Sequence, residues 1–173
     1  MMKKSIFILF LSIGFISCKN ETKKEVVKQI SKEISSVKTL NYNQLKPYLE
    51  QKDDKIYVVN FWATWCAPCV KELPYFEKIK KDYADKNVEV LLVSLDFPKQ
   101  VEKKLIPFIK KKKLQSEVVL LDDVNEDVWI KAIDESWSGA IPATIIYNAN
   151  NRKFYEKSFD YVTLEKELKT FIN

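Results

Sequence analysis

At 173 residues, with 46% hydrophobic and 13% aromatic content, the chain is long enough for one domain with a proper core, and its composition supports a globular body. A net charge of +5, from 29 Lys and Arg against 24 Asp and Glu, is too mild to argue for nucleic acid. There is no histidine and there are three cysteines, so any special chemistry falls to thiols and carboxylates.

Lys3 and Lys4 precede an apolar stretch, Ile6 to Ile16, broken only by Ser12 and Gly14. That is the build of a secretory signal, and it is shorter than the roughly 20 residues that span a bilayer. Phe15-Ile16-Ser17-Cys18 resembles a loose bacterial lipobox, departing from the usual leucine at Phe15. We therefore expect residues 1–17 to be a lipoprotein signal peptide and Cys18 to be lipidated, with an uncleaved anchor or another cleavage site as the alternatives. Loss of Lys3 and Lys4 with the leader leaves a net charge of +3. Residues 18–38 are expected to be a polar tether, because a stretch such as Lys19 to Glu25 cannot bury enough apolar surface to fold alone. Val26, Val27, Ile30, Ile34 and Val37 leave open a short helix packed on the domain.

The domain is expected over residues 39–173. Tyr42 to Glu50 suggests a helix, Ile56 to Trp62 a buried strand, and Pro68 to Tyr83 a helix kinked at Pro74. Val88 to Leu95 reads as a strand, Pro98 to Lys112 as a helix interrupted by Pro107, Val118 to Leu121 as a strand and Asp127 to Ile133 as a short helix. The Lys110 to Lys113 run reads as a solvated helix end, where cations suit the macrodipole. Ala143 to Tyr147 and Lys153 to Ser158 flank Asn148-Ala149-Asn150-Asn151, a turn-prone tetrapeptide suited to a hairpin. Thr163 to Ile172 closes the chain as a helix, with Thr163 a candidate cap.

The chemistry concentrates at Trp65-Cys66-Ala67-Pro68-Cys69, two thiols at redox spacing directly after a strand. Val70, Leu73, Phe76, Ile79 and Tyr83 mark one apolar face of the helix that follows, so Cys66 sits at a helix N-terminus. Unpaired N–H groups and the helix dipole favour a thiolate there, and the thiolate is the nucleophile of disulfide exchange. Cys69, one turn inside, is placed to resolve a mixed disulfide on Cys66. A purely structural disulfide would close too small a loop to stabilise much, and two thiolates supply only half of a zinc shell. Glu72 stands three residues after Cys69 on the same side of the helix; it is either a partly buried proton acceptor for Cys69 or a solvated carboxylate among Lys71, Lys78 and Lys80. Trp65 is expected to cover the nucleophile as part of a partner-binding surface, while Trp137 either lines the same groove or belongs to the core.

Asn60 to Cys69, then Glu72-Leu73-Pro74, and later Ile141-Pro142-Ala143-Thr144 resemble the thioredoxin fold, specifically its TlpA/ResA-like extracytoplasmic thiol-disulfide oxidoreductases, over roughly residues 40 to 173. The resemblance implies an α/β, thioredoxin-like fold with a central mixed β-sheet flanked by helices and an inserted strand-helix unit. It also implies that Pro142 is a cis proline opposite the cysteines, that the backbone of Ile141 pairs with a substrate segment, and that Glu72 is an active-site glutamate. Thioredoxin itself has a buried aspartate on the strand before the motif; this chain has Asn60, which cannot exchange a proton. The expected protein is an envelope lipoprotein, facing the periplasm or the exterior, that reduces disulfides of partner proteins. It needs no cofactor, takes electrons from a dithiol donor such as a membrane-embedded protein, and binds no nucleic acid or metal. An oxidase or isomerase, or a non-catalytic peptide-binding lipoprotein using the same groove, are the competing readings.

Overall fold

The computed structural model describes residues 37–172, so the expected signal peptide, Cys18 and the tether as far as Ser36 lie outside the described residues. In chain order these residues form β1 (Lys38–Leu40), α1 (Tyr42–Leu45), β2 (Ile56–Trp62), α2 (Ala67–Asp82), β3 (Val88–Ser94), α3 (Ile106–Lys112), β4 (Glu117–Leu121), α4 (Glu126–Ile133), β5 (Ala143–Tyr147), β6 (Arg152–Tyr155) and α5 (Tyr161–Lys169). The strands make one mixed sheet in the order β1-β4-β3-β2-β5-β6. The first four in that order are parallel, and β5 is antiparallel to both β2 and β6. β4, reached through α3, stands between β1 and β3 and gives the parallel part its fourth strand.

The continuous apolar runs of β2 and β3 have a physical cause, since a parallel strand covered on both faces has no polar side to show. Val58 and Trp62 pack into a cluster with Leu73, Phe76 and Ile79 of α2 and Leu164 and Leu168 of α5. Val59 and Phe61 point the other way, into a cluster with Leu45, Trp129, Ile133 and Trp137. Asn60 lies between them in the strand and is a fully buried polar side chain.

Several boundaries differ from the sequence expectation. Lys38, placed in the tether, is the first residue of β1, where it pairs with Val119 of β4. The helix expected over 42–50 is α1 followed by a 3-10 turn at Lys46–Leu49, and Asn41 caps α1 through a reciprocal bond with Gln44. α2 runs through Pro74 to Asp82, giving up the one backbone bond that proline cannot donate. The expected 98–112 helix divides into a 3-10 turn at Pro98–Gln100, a π-helical stretch at Val101–Leu105 and then α3; Pro107 falls in the first turn of α3, where a missing N–H leaves nothing unpaired. Asp160, not Thr163, caps α5, its carboxylate accepting the Thr163 N–H at 2.8 Å. Trp137 is fully buried and belongs to the core rather than the groove. The expected hairpin is present: Asn148 Oδ1 accepts from the N–H groups of Asn150 and Asn151, and the Asn148 N–H donates to Asn151 O at 2.9 Å.

Candidate active site

β2 ends at Trp62, and the turn Ala63–Trp65 carries the chain over the carboxyl edge of the sheet to Cys66, the N-cap of α2. Ala67 and Pro68 occupy the first helical positions, where proline's fixed φ suits the turn. The Cys69 N–H, which has no partner within the helix, donates to Cys66 Sγ at 3.3 Å. The two cysteines are joined in a disulfide with their Cα atoms 5.3 Å apart. Cys69 is fully buried and Cys66 is 6% exposed, so of the two residues only Cys66 meets the surface. Cys66 Sγ lies 3.7 Å from Ile141 O. In the disulfide that sulfur bears no hydrogen, so this is a packing contact; a Cys66 thiol would find the same carbonyl as its acceptor.

The Ile141–Pro142 peptide bond is cis, and it immediately precedes β5, whose Ala143 is paired with Phe61 of β2. Ile141 and Pro142 are thereby carried to the same edge as Cys66. Trp65, the residue before Cys66, is 57% exposed.

Glu72 is 1% exposed, which excludes the reading of a solvated carboxylate. Its Oε1 accepts from Asn60 Nδ2 at 2.9 Å and its Oε2 from the Phe159 N–H at 2.7 Å. Burial pushes its pKa up to about 7, against the opposing pull of the Phe159 and Asn60 hydrogen bonds, which favour the ionised form. Asn60 also donates to Thr144 Oγ1 at 3.1 Å, while its own Oδ1 has no partner. Glu72 is thus a carboxyl group able to take up and give back a proton near neutral pH, one helical turn beyond Cys69.

Sequence reasoning located the cysteines, Glu72, Trp65 and the Ile141-Pro142 pair, and the structure places them at one edge of the sheet. It missed two contributors. Asn60 matters as a hydrogen-bond donor rather than for what it lacks. Asp96 is 2% exposed and bonds the turn before Cys66: its Oδ2 accepts the Thr64 N–H at 3.0 Å and Ser94 Oγ–H at 2.8 Å, and its Oδ1 accepts the Thr64 hydroxyl. The signal was a carboxylate just beyond the apolar run Val90–Val93 and the end of β3.

Comparison with known proteins points in one direction. A family model described as the AhpC/TSA family matches residues 30–152. The thiol-disulfide oxidoreductase ResA of Oceanobacillus iheyensis is 40% identical over 70 residues, covering 40% of this chain and 32% of the relative. A ResA of Bacillus cereus is 27% identical over 161 residues, covering 93% of this chain and 87% of that protein. The chain spans about a third to about a half of the length of three ResA relatives it matches, at 32%, 54% and 53%. A thioredoxin-family thiol:disulfide interchange protein from Chlorobium tepidum superposes with a TM-score of 0.59 at 18% identity, over 74% of this chain and 85% of that one. The fold is thioredoxin-like.

Proposed function

We propose that this chain, which belongs to the AhpC/TSA family, is a thiol-disulfide oxidoreductase that reduces disulfides of other extracytoplasmic proteins. The observation that carries this reading is a Cys66–Cys69 disulfide on the N-terminus of α2 with a buried carboxyl group, of pKa about 7, one turn behind it.

In the reduced protein the Cys66 thiolate, favoured by the helix N-terminus, attacks one sulfur of a partner disulfide. The partner's other sulfur leaves as a thiolate and takes up a proton. Cys69 then gives its proton to Glu72 and attacks Cys66 Sγ, breaking the mixed disulfide and releasing the partner's second thiol. Two electrons have passed to the partner, and the Cys66–Cys69 bond has formed. A dithiol protein, for which a membrane-embedded donor is the natural source, reverses the cycle at the same pair. Trp65, Pro142 and the Ile141 carbonyl form the surface against which the partner segment lies.

Lys3, Lys4, the apolar run to Ile16 and Cys18 support a lipid-anchored protein of a bacterial envelope, facing the periplasm or the exterior, with a polar tether before the domain. No helix among the described residues is long and apolar enough to cross a membrane.

Direction depends on potential relative to the surroundings. The test is the equilibrium potential of Cys66 and Cys69 against glutathione, combined with turnover on a protein disulfide in the presence of a dithiol. A potential at or below roughly −250 mV with catalytic turnover is expected; one near about −120 mV would make the protein an oxidant. Absence of turnover would leave only a binding module.

A further inference from the structure

The carboxyl ends of β2 and β3 stay in register beyond the strands themselves. Trp62 is paired with Ser94, and the Leu95 N–H donates to Trp62 O at 2.8 Å. Two residues beyond that pair, Thr64 and Asp96 are bonded twice, through the Thr64 backbone N–H and its hydroxyl. Asp96 is buried and takes a third bond from Ser94 Oγ. The next residue on each segment is an aromatic left in water: Trp65 at 57% exposure and Phe97 at 62%. Among the described residues they are the two aromatic side chains in the set of exposed large hydrophobic residues, and Trp65 adjoins Cys66.

Exposed aromatic surface carries a solvation penalty that a bound apolar group relieves. A buried carboxyl group holding three hydrogen bonds fixes the two segments that bear these rings, because any shift would leave buried polar atoms unpaired. From this juxtaposition, and resting on the oxidoreductase reading above, we propose that Asp96 holds Trp65 and Phe97 as an apolar rim that receives an apolar side chain flanking the partner's cysteine. The preferred substrates are polypeptide disulfides with a large aliphatic or aromatic residue next to the half-cystine. The occupant follows from the chemistry of the site: whatever rests on the rim is continuous with the chain whose sulfur reaches Cys66.

The experiment uses chemically reduced full-length protein and two synthetic disulfide peptides that differ only in the residues beside their cysteines, leucine and phenylalanine in one, serine in the other. A small aromatic disulfide serves as a reference for competence. The wild type is expected to reduce the apolar peptide roughly tenfold faster than the serine peptide, the discrimination that burying one apolar side chain supplies. Phe97→Ser, a change at an exposed position, should bring that ratio close to one, and Asp96→Asn should shrink it as well. A wild type without preference, or a Phe97→Ser variant that keeps the full ratio, overturns the rim. An Asp96→Asn ratio equal to that of the wild type overturns the positioning role of Asp96. Failure of the wild type on all three disulfides would instead sink the oxidoreductase reading itself.

Discussion

Glu72→Gln is the most direct test of the buried carboxyl. In the folded protein its pKa is about 7, against 4.5 for an ordinary glutamate, so the folded state holds the proton more tightly than the unfolded chain does. The associated stability is fully present below pH about 4.5 and is lost as pH rises through about 7. The difference corresponds to at most about 3 kcal/mol, accrued at up to about 1.4 kcal/mol per pH unit. Glutamine has no proton to lose, and its NH2 must face one of two donors, Asn60 Nδ2 or the Phe159 N–H, so the variant carries a fixed penalty at all pH values. The informative quantity is therefore a difference of differences. Urea denaturation of both oxidised proteins, with the disulfide intact so that neither cysteine titrates, should be run from pH 4.5 to pH 8.5. The stability of Glu72→Gln relative to wild type should improve by about 3 kcal/mol across that range, most of it between pH 5 and 7. Curves that stay parallel within about 0.5 kcal/mol would show that Glu72 is ionised throughout and would remove the basis for its role as a proton acceptor.

Three further outcomes are expected. Cys69→Ser should accumulate mixed disulfides with partner proteins, visible as reducible adducts on non-reducing gels, whereas Cys66→Ser should trap none; adducts through Cys69 would reverse the assignment of nucleophile and resolver. Alkylation of the reduced protein near neutral pH followed by peptide mapping should label Cys66 and leave Cys69 slow, because the former caps a helix and the latter is fully buried. Cys18→Ala should abolish partition of the mature protein into detergent while leaving disulfide reduction intact, since more than one acyl chain is what makes membrane attachment stable; detergent partition that persists in the variant would point to a retained apolar segment.

What could be read in advance follows from where the physics is local. β2 and β5 matched to the residue, because each is a mostly buried apolar run broken only by a small polar residue, Asn60 in one and Thr144 in the other. β1 was illegible: it has three residues, two of them exposed, and exists only by pairing with β4, with Lys38 bonded to a glutamate 79 positions later. The start of α5 was misplaced because Asp160 and Thr163 are both good caps, and Thr163 is in fact the residue whose N–H and hydroxyl Asp160 accepts. Cys66 and Cys69 could be found because their spacing at a helix start is itself the geometry, whereas Glu72 was singled out by the family resemblance more than by its spacing. Asp96 and the Phe159 N–H reach the site from 32 and 87 residues away from their partners Thr64 and Glu72, a proximity that no local pattern encodes. Trp137 was ambiguous for a similar reason: only the packing of Phe61, Trp129 and Phe154 around its ring decides that it is core.

The bond from the Cys69 N–H to Cys66 Sγ ties reactivity to helix integrity. As a thiolate, Cys66 supplies a full negative charge to an amide that has no other acceptor, and α2 is then at its best capped. On attack, that electron density moves into a new sulfur–sulfur bond, and the same amide is left with a weak neutral acceptor. The interaction that makes the thiolate abundant also makes it reluctant to react, which is the molecular content of the general rule that nucleophilicity falls with thiol pKa. Hydrogen exchange at the Cys69 amide should track this change of acceptor, slow while Cys66 is a thiolate and faster once its sulfur is in a disulfide.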